Sequence, residues 1–253
     1  MDRLRGNYNM KTISNFSKGF TLIELMVALV ITSILLAGIY TTYITQLKSH
    51  LTQQLIVEMQ QNLRATMLII ERDIRMVGYD PTLNAGAGIL TMLGNSFGFT
   101  MDVTGGENDG IDNDNDGGTD GFDPENDEDR FSDGDVNDSN EQIRYGLDTD
   151  ADGFQFIGRE LGGVGGLQPV AEFIDALNFV YLDSTGSVTN DPLAVKSVQV
   201  TIVGRSTSVV PAMFFRQTDN QAYMNQQGQI VLPTQNDQFR RMIVTSDIKC
   251  RNL

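Results

Sequence analysis

An apolar run over residues 20–40 constrains what this chain can fold into more than any other feature of the sequence. Glu24 is its only charged side chain. A helix of this length rises about 30 Å, which matches the hydrocarbon core of a bilayer. A carboxylate within such a helix is costly in lipid unless it finds a partner. The run therefore predicts a membrane helix in which Glu24 has a specific contact.

Residues 1–19 form a basic leader in front of this run. Their basic side chains, set against Asp2 alone, are Arg3, Arg5, Lys11 and Lys18. A basic segment before an apolar run is retained on the cytoplasmic side of the membrane. Gly19 comes before the run, and no Ala-x-Ala-like site follows it, unlike in a secretory signal peptide. Met10 is an alternative start to Met1.

The junction at residues 18–27 reads KGFTLIELMV and resembles the class III signal of type IV prepilins and pseudopilins. The resemblance implies that a membrane peptidase cuts between Gly19 and Phe20, and that Phe20 is then N-methylated. It also implies that Glu24 pairs with the N-terminal amine of a neighbouring subunit during assembly. The alternative is an ordinary signal anchor, in which Glu24 would be an unexplained cost.

Beyond the membrane segment, an apolar stripe at spacings of three and four predicts that the helix continues to residue 77. The stripe consists of Leu47, Leu51, Leu55, Met59, Leu63, Met67, Ile70, Ile74 and Val77. Gly78 suits a C-cap, and Pro81 cannot continue a helix. Residues 71–79, ERDIRMVGY, resemble the helix end of PilW-like minor pilins and of J-type pseudopilins of type II secretion. A solvated helix end with local ion pairs is the plain alternative.

The net charge of −15 comes mainly from one segment, since residues 102–152 hold 19 of the 33 acidic side chains. No basic face is present, so a nucleic-acid partner is not predicted. The single Cys250 excludes an internal disulfide, and the single His50 argues against histidine-based zinc or catalytic sites. No nucleophile elbow or phosphate-binding loop occurs. The chain is not predicted to be an enzyme.

The acidic insert at residues 105–140 predicts a calcium site. Asp112, Asp114 and Asp116 alternate before Gly117, and further carboxylates follow at the ninth and twelfth positions of the same frame, at Asp120 and Asp123. This spacing is that of an EF-hand loop, and calcium takes six to eight such oxygens. The run also resembles the calcium repeats of thrombospondin type 3. A solvated acidic linker is the alternative.

A further cluster, Asp148, Asp150 and Asp152, starts like a calcium loop and is followed by Gly153. Arg159 stands at its twelfth position, however, where a ligand would be needed. The cluster also separates two strand-like runs, at 142–147 and 154–161, so a hairpin turn is the alternative.

The rest of the chain predicts an antiparallel sheet, with a flexible turn at 162–166. The remaining predicted strands are 89–93, 97–103, 177–181, 195–203, 213–216 and 239–249. A long helix packed on such a sheet is an α+β arrangement, which agrees with the pilin-like fold that the resemblance implies. The expected divisions are a leader at 1–19, a transmembrane segment at 20–43, an amphipathic helix at 44–78 and a β-rich head at 79–253. The final residues, 251–253, resemble the ending of PilW-like proteins.

The leading functional prediction is a minor subunit, priming or at the tip, of a type IV pilus. The resemblance implies other pilins and the prepilin peptidase as partners. It implies insertion in the inner membrane with a periplasmic head, then a place in a cell-surface pilus. A J-type pseudopilin of type II secretion is the alternative. A membrane-anchored calcium-binding adhesin is an alternative of another class.

Overall fold

The computed structural model describes residues 19–103, 134–137, 140–209 and 218–253. These residues form two compact units, one ending at Ser49 and the other spanning His50–Leu253. One long helix and antiparallel sheets confirm the predicted α+β class. The predicted strand at 213–216 and the predicted calcium loop over residues 112–123 lie outside the described residues.

Helix α1 spans Leu22–Met76, close to the predicted limits of residues 20 and 77. In the second unit its buried side chains follow the predicted stripe and are Met59, Leu63, Thr66, Met67, Ile70, Asp73 and Ile74. Gly78 follows the helix with a φ of 72°, a left-handed conformation that favours glycine at this position. The predicted stop is therefore confirmed. The buried Asp73 within the apolar stripe was not predicted.

Among the described residues of the second unit, ten strands form three antiparallel sheets. The five-stranded sheet runs in chain order: β1 (Ile89–Met92), β2 (Ser96–Thr100), β3 (Gln142–Thr149), β4 (Gln155–Leu161) and β5 (Val164–Glu172). A three-stranded sheet has β7 (Ser197–Arg205) between β6 (Ile174–Leu182) and β10 (Arg241–Lys249). A small hairpin joins β8 (Tyr223–Met224) to β9 (Ile230–Leu232).

The predicted flexible turn over residues 162–166 is wrong in its second half. Gly162 and Gly163 make the turn, but strand β5 already begins at Val164. Gly165 and Gly166 lie within that strand at φ values of 88° and 70°. Glycine reaches such angles without strain, so a strand can bend and shift register where it occurs. The pairing of β4 with β5 is indeed irregular at this end.

One hydrophobic core joins side chains of α1 to both larger sheets within the second unit. The face predicted for β7, formed by Val198, Val200 and Ile202, is fully buried in it. Gly204 on the same strand lets the helix come close, because a Cβ there would lie 2.9 Å from Leu63 Cδ2. The absence of a side chain at Gly204 thus sets the distance between α1 and this sheet.

Candidate functional site

The start of α1 is a capping box made by Thr21 and Glu24. The Glu24 carboxylate accepts hydrogen bonds from the Thr21 backbone N–H at 2.9 Å and from its hydroxyl at 2.8 Å. The Glu24 N–H in turn donates to the Thr21 hydroxyl oxygen at 3.3 Å. Each of the two side chains thus accepts a hydrogen bond from a backbone N–H that has no partner within the first turn of a helix. The Thr-x-x-Glu spacing is a sequence signal for this capping role, which was not predicted.

The capping box holds the predicted assembly residue against the first turn of the helix. The Glu24 carboxylate accepts a hydrogen bond from Thr21, the residue directly after Phe20. Phe20 itself is 91% exposed. Gly19 and Phe20 precede the helix and are exposed. The predicted cleavage bond is therefore accessible, and it lies outside regular secondary structure.

Every residue from 19 to 43, over the apolar part of α1, is exposed. The helix is long and apolar enough to cross a membrane. Its hydroxyls donate to carbonyls one turn back, as Ser33 does to Val30 at 2.8 Å and Thr45 does to Thr41 at 2.8 Å. Polar groups satisfied in this way do not need water. This surface is suited to lipid or to other apolar helices.

The end of α1 carries a buried carboxylate that joins the helix to the five-stranded sheet. Asp73 accepts hydrogen bonds from the Tyr145 hydroxyl and from Arg159 Nε, both at 2.7 Å. Burial, followed by the charge of Asp73, raises the pKa of Tyr145 well above its usual range. The segment 71–79, which resembles PilW-like helix ends, therefore contains a structural contact with the head.

A second buried charge centre surrounds Arg241, whose side chain is only 2% exposed. Its guanidinium donates two hydrogen bonds of 2.6 Å to Asp237 and also pairs with Asp175 and Asp219. These hydrogen bonds lower the pKa of Asp237. Buried charges are tolerated when they are paired in this way. The centre joins β10 to the start of β6 and to the loops that precede β8 and β10.

Among the residues of the predicted calcium sites, Asp148, Asp150 and Asp152 are described: Asp148 lies near the end of β3, and Asp150 and Asp152 lie in the turn between β3 and β4. Asp150 accepts backbone N–H groups of Asp152 and Phe154 at 3.0 and 2.7 Å, as an Asx turn does. The hairpin alternative is therefore what the structure contains. Within the described ranges, no group of three or more His, Cys, Asp or Glu side chains could hold a metal ion.

The acidic insert leaves the head between two neighbouring strands. Thr100 on β2 pairs with Gln142 on β3, and the Met101 N–H donates to the Glu141 carbonyl at 3.0 Å. The Val103 N–H then donates to the Glu141 carboxylate at 2.7 Å. The two ends of the connection are thus held together at the sheet.

The N-terminal segment matches a known protein family. Residues 14–40 match the family described as the prokaryotic N-terminal methylation motif. No curated protein is significantly similar to the chain. Among solved structures, the chain is similar to a type IV-like pilin from Thermus thermophilus, with 14% identity and a TM-score of 0.43, over 77% of this chain and 96% of that chain.

The chain therefore carries a prokaryotic N-terminal methylation motif, and the apolar helix that begins within it is long and apolar enough to span a membrane. This motif confirms the resemblance of the N-terminal segment to prepilins. Cleavage after Gly19, methylation of Phe20, the assembly role of Glu24 and the PilW-like subtype stay predictions.

Proposed function

We propose that the chain is a minor subunit, priming or at the tip, of a type IV pilus. The observation that carries this proposal is the methylation motif at residues 14–40, which runs into a helix whose apolar residues are exposed. Apolar area gains about 25 cal/mol for each Å² removed from water, so such a helix favours lipid first and neighbouring helices later. The large head and its acidic insert support a specialised subunit that is present in few copies.

In this proposal, the peptidase cleaves after Gly19 while α1 is in the inner membrane and the head is periplasmic. The new amine of Phe20 is methylated, and it pairs with Glu24 of a neighbouring subunit as apolar helices pack laterally into the filament. Pairing with a cation offsets the cost of the carboxylate in an apolar surrounding. After assembly, the head is displayed on the cell-surface pilus.

The capping box allows the two roles of Glu24 to be tested separately. Glu24→Gln keeps a residue that can complete the capping box but removes the charge. Thr21→Ala removes the cap, at about 1 kcal/mol of helix stability, and keeps the charge. We expect Glu24→Gln to block incorporation into pili and Thr21→Ala to permit it. Equal incorporation of Glu24→Gln and the unmodified chain would exclude the proposed pairing.

The mature N-terminus separates the filament proposal from the adhesin alternative. Mass spectrometry of the protein from membranes should find a chain that begins with methylated Phe20. An uncleaved chain that never enters a filament would favour the anchored adhesin. The J-type pseudopilin shares the signal and the helix, so it is distinguished by neighbouring genes, which would encode secretion components rather than pilus assembly components.

We further propose that the acidic insert binds calcium through Asp112, Asp114, Asp116, Asp120 and Asp123. The support is their spacing, together with the joined ends of the insert. Calcium binding would oppose the mutual repulsion of these carboxylates and would order a long connection between β2 and β3.

Isothermal titration of the full chain in detergent tests the calcium proposal. We expect binding that is lost in the pair Asp112→Ala and Asp116→Ala. The matched pair Asp148→Ala and Asp152→Ala, at the end of β3 and in the turn that follows it, should leave binding unchanged. An absence of binding heat at millimolar calcium would exclude the site. If binding were lost only in the variant changed at Asp148 and Asp152, the calcium site would lie at the β3–β4 turn instead.

A further inference from the structure

A cavity of about 370 Å³ lies between α1 and the end of β5, within the unit His50–Leu253. Its apolar walls come from Leu55 and Met59 on the helix and from Pro169 and Phe173 on the other side. This volume is at the low end of the range of about 300–1,000 Å³ for cavities that hold small ligands. It suits one long side chain rather than a whole helix or strand.

Two exposed carboxylates, Glu58 and Glu172, also line this cavity. Within the described part of the chain, neither side chain forms an ion pair or a hydrogen bond. The Asn62 amide donates to the Glu172 backbone carbonyl, at 2.9 Å, and leaves the carboxylate available. Two acids beside an apolar wall attract a cation and repel an anion.

Among the described residues that line the cavity, the basic side chain is that of Arg205, and it is already paired. Its Nε lies 3.5 Å from Asp175 Oδ1. Its guanidinium carbon lies 5.5 Å from the ring centre of Phe154 and 4.8 Å from that of Phe239, within the range of cation–π contact. Asp175 lies beside both Arg205 and Arg241, and Arg241 also pairs with Asp219 and Asp237, so the three aspartates together compensate the two arginines. Among the described lining residues, the remaining charge is that of Glu58 and Glu172.

We propose that this cavity binds a lysine or arginine side chain of a partner protein. The long methylene stem of such a side chain would lie against Leu55, Met59 and Phe173, with its charged end at Glu58 and Glu172. A purely apolar side chain would gain nothing from the two carboxylates, and an acidic one would be repelled. The proposal is independent of filament assembly, since it concerns only the unit His50–Leu253.

The test uses the full chain in detergent, with ¹³C-methyl methionine. The probe is the blocked peptide Ala-Ala-Lys-Ala-Ala, and its control has norleucine, which keeps the stem but lacks the charge. Millimolar lysine peptide should shift the Met59 methyl resonance and leave that of Met224, on β8, in place. One exposed ion pair contributes up to about fivefold in affinity. Because the lysine would face two carboxylates, the norleucine peptide should bind at least about fivefold more weakly.

Variants assign the binding to the two carboxylates. The pair Glu58→Gln and Glu172→Gln should weaken lysine-peptide binding by at least about fivefold. Asp247→Asn, which removes an exposed acid on β10 away from the cavity, should leave it unchanged. The proposal is overturned if Met59 does not shift, if both peptides bind equally, or if Asp247→Asn weakens binding as much as the paired variant does. Loss of the Phe20 methyl group or of cleavage would not affect these results.

Discussion

The Tyr145 hydroxyl on β3 donates a hydrogen bond of 2.7 Å to the buried carboxylate of Asp73 on α1. Arg159 on β4 donates to the same carboxylate oxygen, also at 2.7 Å. A single acid on the helix therefore fixes its register on two strands of the five-stranded sheet. Apolar packing has no such directional preference, because its energy follows the buried area.

Replacing Asp73 should destabilise the head strongly. Asp73→Ala leaves the buried Tyr145 hydroxyl and the partly exposed Arg159 without their acceptor, so we expect a loss of about 3 kcal/mol in the free energy of unfolding, the lower end for a buried pair. Urea unfolding of the full chain in detergent measures this loss. Tyrosine fluorescence reports the unfolding, because the chain has no tryptophan. The control is Glu71→Ala, which removes a hydrogen bond from Ser246 and should cost only about 1 kcal/mol. Equal effects of the two variants would contradict the role of Asp73.

A side chain at position 204 should force α1 away from the three-stranded sheet. The Cβ of Gly204→Ala would lie 2.9 Å from Leu63 Cδ2, and overpacking of this kind costs about 1–3 kcal/mol. Gly88→Ala is the matched control, because a Cβ there meets nothing within 4 Å. Combining Gly204→Ala with Leu63→Ala should cost less than the sum of the single changes. Strict additivity would mean that the two residues do not limit the approach.

The charge centre at Arg241 should make the head less stable in acid. Hydrogen bonds from Arg241 lower the pKa of Asp237 in the folded chain. As pH falls below about 4, the usual pKa of an aspartate, Asp237 is therefore protonated in the unfolded chain before it is protonated in the folded chain. The free energy of unfolding decreases over this range until pH falls below the lower pKa of the folded chain. Asp237→Asn should make this decrease shallower. Some slope should remain, because hydrogen bonds from Thr185 and Ser187 lower the pKa of Asp183 as well.

Urea unfolding at a series of pH values measures this slope. Asp247→Asn serves as the control, since this acid is exposed on β10 and should leave the slope unchanged. A pH dependence that is identical in the original chain and in Asp237→Asn would exclude a contribution from this pair.

The lone thiol should report unfolding of the head. Burial raises the pKa of Cys250 to about 12, and the thiolate is the reactive form. A thiol reagent at about pH 8, near the pKa of a free cysteine, should therefore label the folded chain far more slowly than the chain in urea. Gly204→Ala should label faster than Gly88→Ala, because it opens more often. Rapid, complete labelling of the folded chain would show that Cys250 is accessible.

Local patterns in the sequence were enough to predict α1 to within two residues at each end and most of its buried stripe. They also predicted the stop at Gly78 and the inward face of β7. These features depend on spacing along the chain, which the sequence displays directly. Strand β5 was not predicted, and its first residues, 164–166, were predicted as part of a turn, because their glycines are typical of turns. The pairing of β5 with β4, which makes it a strand, is not visible in the local sequence.

The sequence by itself determined the apolar helix, the prepilin-like junction at Gly19 and Phe20, and the α+β class, since each follows from neighbouring residues. Only the tertiary structure decided that Asp73 accepts hydrogen bonds from Tyr145 and Arg159, and that Arg241 forms ion pairs with three aspartates. It alone also placed Glu58 and Glu172 at one cavity. These partners are far apart in the chain, and no periodicity shows which polar side chains folding will bring together. Burial then makes their pairing necessary, because an unpaired buried charge is costly.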